Sequence, residues 1–190
     1  MLIDTPECCK AHIRGVMADV AKHLDLVGIR WWIDYGTLLG FIRNGGLIPW
    51  DKDCDLGMLA DDRQKLLDLQ KVFLGIGYHA TYASPRPTQR FRTGDRMKVS
   101  LSNLNRSNVD IFIWERNKPS KGLLDRRNYI GADLYKGREF PIEWALPLRR
   151  GTWDGIDVSV PAEPEKLAEH RYGATWMEPM REKHPAEVRK

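Results

Sequence analysis

The chain has 190 residues, of which 42% are hydrophobic and 29% charged, with a formal net charge of +4. That is enough for one well-buried core and short for two, and it excludes disordered and fibrous classes. No apolar run approaches the ~20 residues that span a bilayer. Met1-Leu2-Ile3-Asp4 has no signal-peptide character, and Cys8, Cys9 and Cys54 form neither a disulfide framework nor a zinc pattern. A single cytoplasmic domain over residues 1–190, with no transmembrane segment, is expected.

Across residues 6–26, Ile13, Val16, Met17, Val20 and Leu24 recur at helical spacing, with Thr5-Pro6 as N-cap and first turn. His12 and His23 within it are structural by this pattern. An apolar run at 29–33 predicts a strand, and residues 36–43 a short helix stopped by Asn44-Gly45-Gly46. Gly36, Gly40 and Arg43 fall at i, i+4 and i+7, a stripe with two missing side chains and one guanidinium that leaves room for a ligand. Residues 48–58 then place Asp51, Asp53 and Asp55 at alternate positions as the chain returns to a strand. Asp53 and Asp55 share one strand face about 6 to 7 Å apart, where they can grip a hard cation. A solvated acidic turn is the alternative.

Asp61 and Asp62 open a helix to about residue 74 and suit its positive end, so they are expected as capping residues and not as metal ligands. A strand is predicted at 76–82. Residues 89–98 form a basic stretch, expected as a solvated hairpin and not as a nucleic-acid surface. Between Arg86 and Lys98, spacing leaves open which of Arg90, Arg92, Arg96 and Lys98 meets phosphate. A strand at 99–102 and a polar turn lead to 109–114, a strongly strand-forming run whose only charge is Asp110. A lone carboxylate there is costly to bury unless it holds a cation or pairs with a nearby arginine. Residues 123–135 predict a hairpin or irregular segment. Trp153-Asp154-Gly155 predicts a turn into a strand at 156–160, followed by a helix over 162–171 and a frayed, charged tail at 180–190. The order predicts an α/β or α+β fold, a mixed β-sheet covered by helices.

Within residues 31–59 stands W-x-D-Y-G-T-L-L-G-x-x-R-x-G-G-x-I-P-W-D-x-D-x-D-x-G. This motif resembles the signature of the LicD/fukutin family in the nucleotidyltransferase-fold superfamily. Leu146-Pro147-Leu148-Arg149-Arg150 and Tyr172-Gly173 with Trp176 extend the resemblance to about residue 177. The resemblance implies a nucleotidyltransferase-like fold. It also implies a transferase that moves a phosphorylated alcohol (phosphocholine, ribitol phosphate or glycerol phosphate) from a CDP-linked donor to a hydroxyl of a glycan or glycopolymer. Asp53, Asp55 and Asp110 would be catalytic and bind Mg²⁺ or Mn²⁺, with Asp51 as an outer or additional ligand. Gly36, Thr37, Gly40 and Arg43 would bind the substrate, the helix start offering N–H groups, the Thr37 hydroxyl and a guanidinium fork to phosphate. Two other readings stay open: a nucleotidyltransferase that makes an activated donor from a nucleoside triphosphate, and a non-catalytic nucleic-acid-binding or interaction domain. The intact acids and the absence of a dominant basic run argue against the last, so no nucleic-acid partner is expected.

Overall fold

The structure, a computed structural model, describes residues 3–84, 92–93, 95–104, 107–116, 122–126, 129–130 and 139–179. Helix α1, Glu7–Leu26, buries Ile13, Val16, Met17, Val20, Ala21 and Leu24 along the predicted stripe. Thr5 does not cap it. The Thr5 hydroxyl donates to the Asp51 carbonyl at 2.8 Å, and its N–H donates to the Pro49 carbonyl at 2.8 Å. The start of α1 therefore holds the acidic loop in place. Strand β1, Trp31–Ile33, is wholly buried and leads into α2, Tyr35–Asn44. Gly45 closes α2 with a φ of 68°, a left-handed stop that suits glycine.

Strand β2, Asp53–Leu59, is followed by a 3₁₀ turn, Ala60–Asp62, and by α3, Arg63–Gly75. Asp61 and Asp62 make no side-chain cap. Arg30 lies beside the turn and takes both carboxylates, Nε to Asp62 at 3.0 Å and Nη2 to Asp61 at 3.2 Å. Strand β3, His79–Ala83, begins three residues later than predicted, because Ile76 still caps α3 and Gly77 turns the chain at φ 95°. Then come β4, Arg92–Thr93; β5, Arg96–Ser100; β6, Asn108–Arg116; β7, Leu123–Arg126; and β8, Tyr129–Ile130. Last are β9, Phe140–Pro141; α4, Ile142–Ala145; β10, Arg149–Trp153; β11, Ile156–Val160; and α5, Pro164–Tyr172. The expected basic hairpin does not close on itself, since β4 pairs with β8. Arg86, Arg90 and the tail at 180–190 lie outside the described residues.

The main sheet runs β1-β2-β6-β5-β3, with β7 on β6 and β9 on β7. Its β2–β6 pair is parallel and the other pairs are antiparallel, so the sheet is mixed as expected. Trp31, Trp32, Trp114, Trp153, Phe73 and Phe140 fill the core and are fully buried. A second hairpin, β10–β11, turns on Asp154 and Gly155, both at positive φ (48° and 79°), the primed turn that an Asp-Gly pair favours. Asp154 also ties this hairpin to the end of α2: its Oδ2 accepts from Leu47 N at 3.0 Å and from Arg14 Nε at 3.2 Å. No described helix is long and apolar enough to cross a membrane.

Gly57 on β2 pairs with Trp32 on β1, and a Cβ at residue 57 would run into the buried indole. Gly57→Ala should therefore overpack the sheet and cost about 1–3 kcal/mol. The check is a lower urea midpoint at constant m-value; an unmoved midpoint would show that the indole has room to shift.

Candidate active site

The parallel pairing of β2 and β6 sets Asp55 opposite Asp110 and Asp53 opposite Asn108. Register partners, and alternate residues along a strand, share a sheet face. The three acids singled out in the sequence therefore stand on one face. Burial pushes the Asp55 carboxyl well above the usual carboxylate range, and the charges of Asp53, Asp110, Asp34 and Asp51 push it further. Gly36 lies against this cluster: a side chain there would meet Asp51 Oδ2 at 3.0 Å and Asp55 Oδ2 at 3.7 Å. The start of α2 reaches the acids because residue 36 has no Cβ.

Asp110 is buried, and β5 meets its charge. Lys98 Nζ lies 3.2 Å from its Oδ2 and Arg96 Nε 3.7 Å from its Oδ1. Asn108 Nδ2 donates to the same Oδ2 at 3.1 Å, and Lys98 also donates to Asn108 Oδ1 at 3.1 Å. Oδ1 itself is buried with no hydrogen-bond partner. Asp110 thus joins the acid face and is paired with the cationic side chains of β5, Arg96 among them, as the ion-pair alternative expected. Arg96 and Lys98 reach the site, whereas the side chain of Arg92 lies outside the described residues. An all-oxygen donor set with surplus negative charge is the chemistry that hard divalent cations favour. Among the described residues, no three His, Cys, Asp or Glu side chains already converge as a ligating group.

Two expectations for α2 change. The Thr37 hydroxyl accepts from the Asp55 N–H at 2.7 Å, and the residue is 2% exposed. It positions the acid and does not face a ligand. A Cβ on Gly40 would collide with the Gly46 carbonyl and Ile48, so the room expected there for a ligand is filled by the loop that follows the helix. Arg43 Nη2 donates to the Glu178 carbonyl at 3.1 Å, and its Nε is buried without a hydrogen-bond partner. Burial lowers the Arg43 pKa, against the opposing charges of Tyr172 and Asp51.

Three residues were not singled out in the sequence. Asp34 is fully buried; its N–H donates to the Asp55 carbonyl at 2.9 Å, and its carboxylate accepts from Tyr35 N at 2.9 Å. Arg171 Nη2 stands 2.7 Å from the same carboxylate, and the guanidinium lies over the Tyr35 ring, 4.0 Å from its centroid. Burial alone would lower the Arg171 pKa, but Asp34 and neighbouring groups hold it above its ordinary value. Tyr172 follows, its hydroxyl pushed well above the usual range by burial and then by Asp55, so it is a neutral donor beside the acids. The signal for Asp34 was available: it is a carboxylate directly after the apolar Trp31-Trp32-Ile33, close to the argument already applied to Asp110.

A strand-borne acid cluster on a mixed sheet, approached by a helix start at a glycine, defines a nucleotidyltransferase-type domain. The chain belongs to the LicD/FKTN/FKRP family, whose nucleotidyltransferase domain matches residues 28–163. It is 27% identical over 183 residues to human ribitol 5-phosphate transferase FKRP, covering 96% of this chain and 35% of the relative. It is 28% identical to mouse ribitol-5-phosphate transferase FKTN, covering 85% and 32% respectively. It is also 28% identical to an uncharacterized protein of Rickettsia prowazekii, over 78% of this chain and 49% of that one. The chain thus spans about a third of the length of the two named transferases. Among solved structures, the lincomycin-bound lincosamide antibiotic adenylyltransferase LnuA superposes with a TM-score of 0.50 at 13% identity, over 92% of this chain and 96% of that chain. That likeness supports the nucleotidyltransferase fold.

Two stability predictions follow from the charges. Arg171→Met leaves the Asp34 carboxylate buried without its cation, and should cost about 3–5 kcal/mol in denaturant unfolding. Adding Asp34→Asn to it should recover part of that loss, and a cost below about 1 kcal/mol for Arg171→Met would show that the pair holds nothing. Asp55→Asn should raise Tm in EDTA at neutral pH. A carboxyl whose folded pKa is raised binds its proton more tightly when folded, so its ionised form destabilises the fold above the unfolded pKa. A lower Tm for Asp55→Asn would contradict this.

Proposed function

We propose that this domain transfers a phosphorylated alcohol, ribitol phosphate first among the candidates, from a CDP-linked donor to a hydroxyl of a glycan or glycopolymer. The observation that carries the reading is Asp55 in register with Asp110 on one face beside Gly36, in a chain related to two proteins named as ribitol-phosphate transferases. Asp53, Asp55 and Asp110 would hold Mg²⁺ or Mn²⁺, with Asp51 as an additional ligand, and the ion would neutralise the diphosphate. Two features of the site support this assignment: the Asp55 carboxyl pushed up by burial and by the acids around it, and an Asp110 Oδ1 that accepts no hydrogen bond.

The chain's own groups divide the remaining work. The start of α2 at Gly36 brings backbone close to the donor phosphates. Arg43 offers its buried Nε, and Tyr172 offers a neutral hydroxyl, to the same oxygens. The acceptor oxygen bonds to the β-phosphorus as the bond to the CMP oxygen breaks, and the acceptor proton passes to Asp110 Oδ1. Free Cys8, Cys9 and Cys54 suit a reducing, cytoplasmic setting.

The second reading is synthesis of an activated donor from a nucleoside triphosphate. A product assay separates the two: CDP-ribitol, CDP-choline or CDP-glycerol with a glycan acceptor, against CTP with ribitol 5-phosphate. CMP release from CDP-ribitol is expected, falling about 10²- to 10⁴-fold in Asp110→Asn. Pyrophosphate release from CTP would replace the proposal with the second reading, and full kcat in Asp110→Asn would remove Asp110 from the chemistry.

A further inference from the structure

The first turn of α1 carries two thiols that the transfer chemistry leaves unused. Cys8 is exposed and Cys9 half-buried, with their Sγ atoms 3.9 Å apart, while Cys54 is sealed in the core. A hydrogen bond shared with Cys8 pushes the Cys9 thiol up. No side-chain cap supports this turn, and the N–H groups of Cys9 and Lys10 both donate to the one carbonyl of Pro6, at 2.9 and 3.0 Å.

This turn is also the grip on the acidic loop. Thr5, directly before it, is 5% exposed and bonds the loop at Pro49 and at Asp51. Further along α1, Arg14 takes the Asp154 carboxylate that holds Leu47. Residues 47, 49 and 51 therefore all hang from α1, and the Asp51 carboxylate lies against Gly36.

Adjacent residues have Cα atoms about 3.8 Å apart, closer than the ~4.4 Å at which ordinary disulfides begin. A bond between Cys8 and Cys9 thus requires the peptide between them to twist, and the N–H of that peptide is the Cys9 donor to Pro6. The ring and the helical first turn exclude each other.

From this juxtaposition we infer that Cys8 and Cys9 are a redox-modification site, a vicinal dithiol that takes a small-molecule disulfide as its oxidant and, once oxidised, unwinds the first turn of α1 and slackens the loop that carries Asp51. Cys8, the exposed thiol, attacks first: its sulfur bonds to one sulfur of the oxidant, the oxidant's S–S bond breaks, and one thiol leaves with the Cys8 proton. Cys9 then attacks Cys8 Sγ, the mixed disulfide breaks, and the second thiol leaves with the Cys9 proton. Two protein thiols are oxidised and one disulfide is reduced to two thiols. An accessible thiol beside a resolving partner is the pattern of redox sensors, and in a reducing compartment such a bond is transient. The inference needs neither the cation nor the CDP donor.

The test is oxidised glutathione added to the native full chain, read by peptide mass and by amide hydrogen exchange. Trypsin releases residues 1–10, which contain Cys8 and Cys9 and exclude Cys54. That peptide should lose two hydrogens, and dithiothreitol should restore them. Cys9→Ser should stop at a glutathione adduct on Cys8. In the oxidised wild type, exchange at Thr5, Cys9 and Lys10 should speed up by about ten-fold or more, as a local turn opens, while β6 keeps its rate. Under the same oxidant Cys8→Ser and Cys9→Ser should keep the reduced rate at Thr5 and Lys10. The inference is overturned if Cys8 and Cys9 stay reduced or end as separate glutathione adducts, if the ring forms with exchange at Thr5 unchanged, or if β6 exchanges as fast as the first turn.

Discussion

The ion pair between Asp34 and Arg171 joins the two ends of the domain at the point where the acids are held. Asp34 closes β1, caps α2 and receives the guanidinium of α5, and its N–H anchors the carbonyl of Asp55. Both side chains are out of water, 2% and 0% exposed, so neither charge is tolerable alone. The stack of Arg171 on Tyr35, with Trp114 and Phe140 nearby, packs the guanidinium among rings that a longer-range contact would not specify. Because α5 is locked to the first turn of α2, Gly36 stays against Asp51 and Asp55 and Tyr172 stays beside them.

Around this anchor the site is built in electrostatic tension. Asp55 is surrounded by four other carboxylates, and its protonation is favoured by burial first and by those charges second. On the far side Lys98 and Arg96 offset Asp110, while Asp55 keeps the repulsion of its neighbours. Such a cluster lowers the stability of the empty fold, a cost characteristic of functional sites. The supporting contacts come from distant parts of the chain. Thr5 holds the Asp51 loop, and Asp154 holds the chain after α2.

Much of this was legible because strand periodicity and charge act locally. Alternation alone put Asp53 and Asp55 on one face, and an isolated carboxylate in an apolar strand marked Asp110. The parallel register that sets Asp110 against Asp55 depends on a crossover through α3 and three further strands, which no local pattern encodes. Gly40 was misjudged for the same reason. A missing side chain can make room for a ligand or for the protein's own backbone, and only the fold shows that Gly46 and Ile48 take the space. Thr37 and Asp34 found partners 18 and 137 residues away, at Asp55 and Arg171, and the basic stretch split between β4 and β5 because its partners lie on different strands.

The central claim is that the acids of β2 and β6 hold a divalent cation which engages the donor's phosphates. Anomalous diffraction from crystals grown with Mn²⁺ and CDP tests it most directly. The account predicts manganese density bounded by Asp53, Asp55 and Asp110 and in contact with the diphosphate, with Arg43 turned to the same oxygens. Manganese found elsewhere, or a diphosphate bound away from the start of α2 while Lys98 alone keeps Asp110, would contradict it.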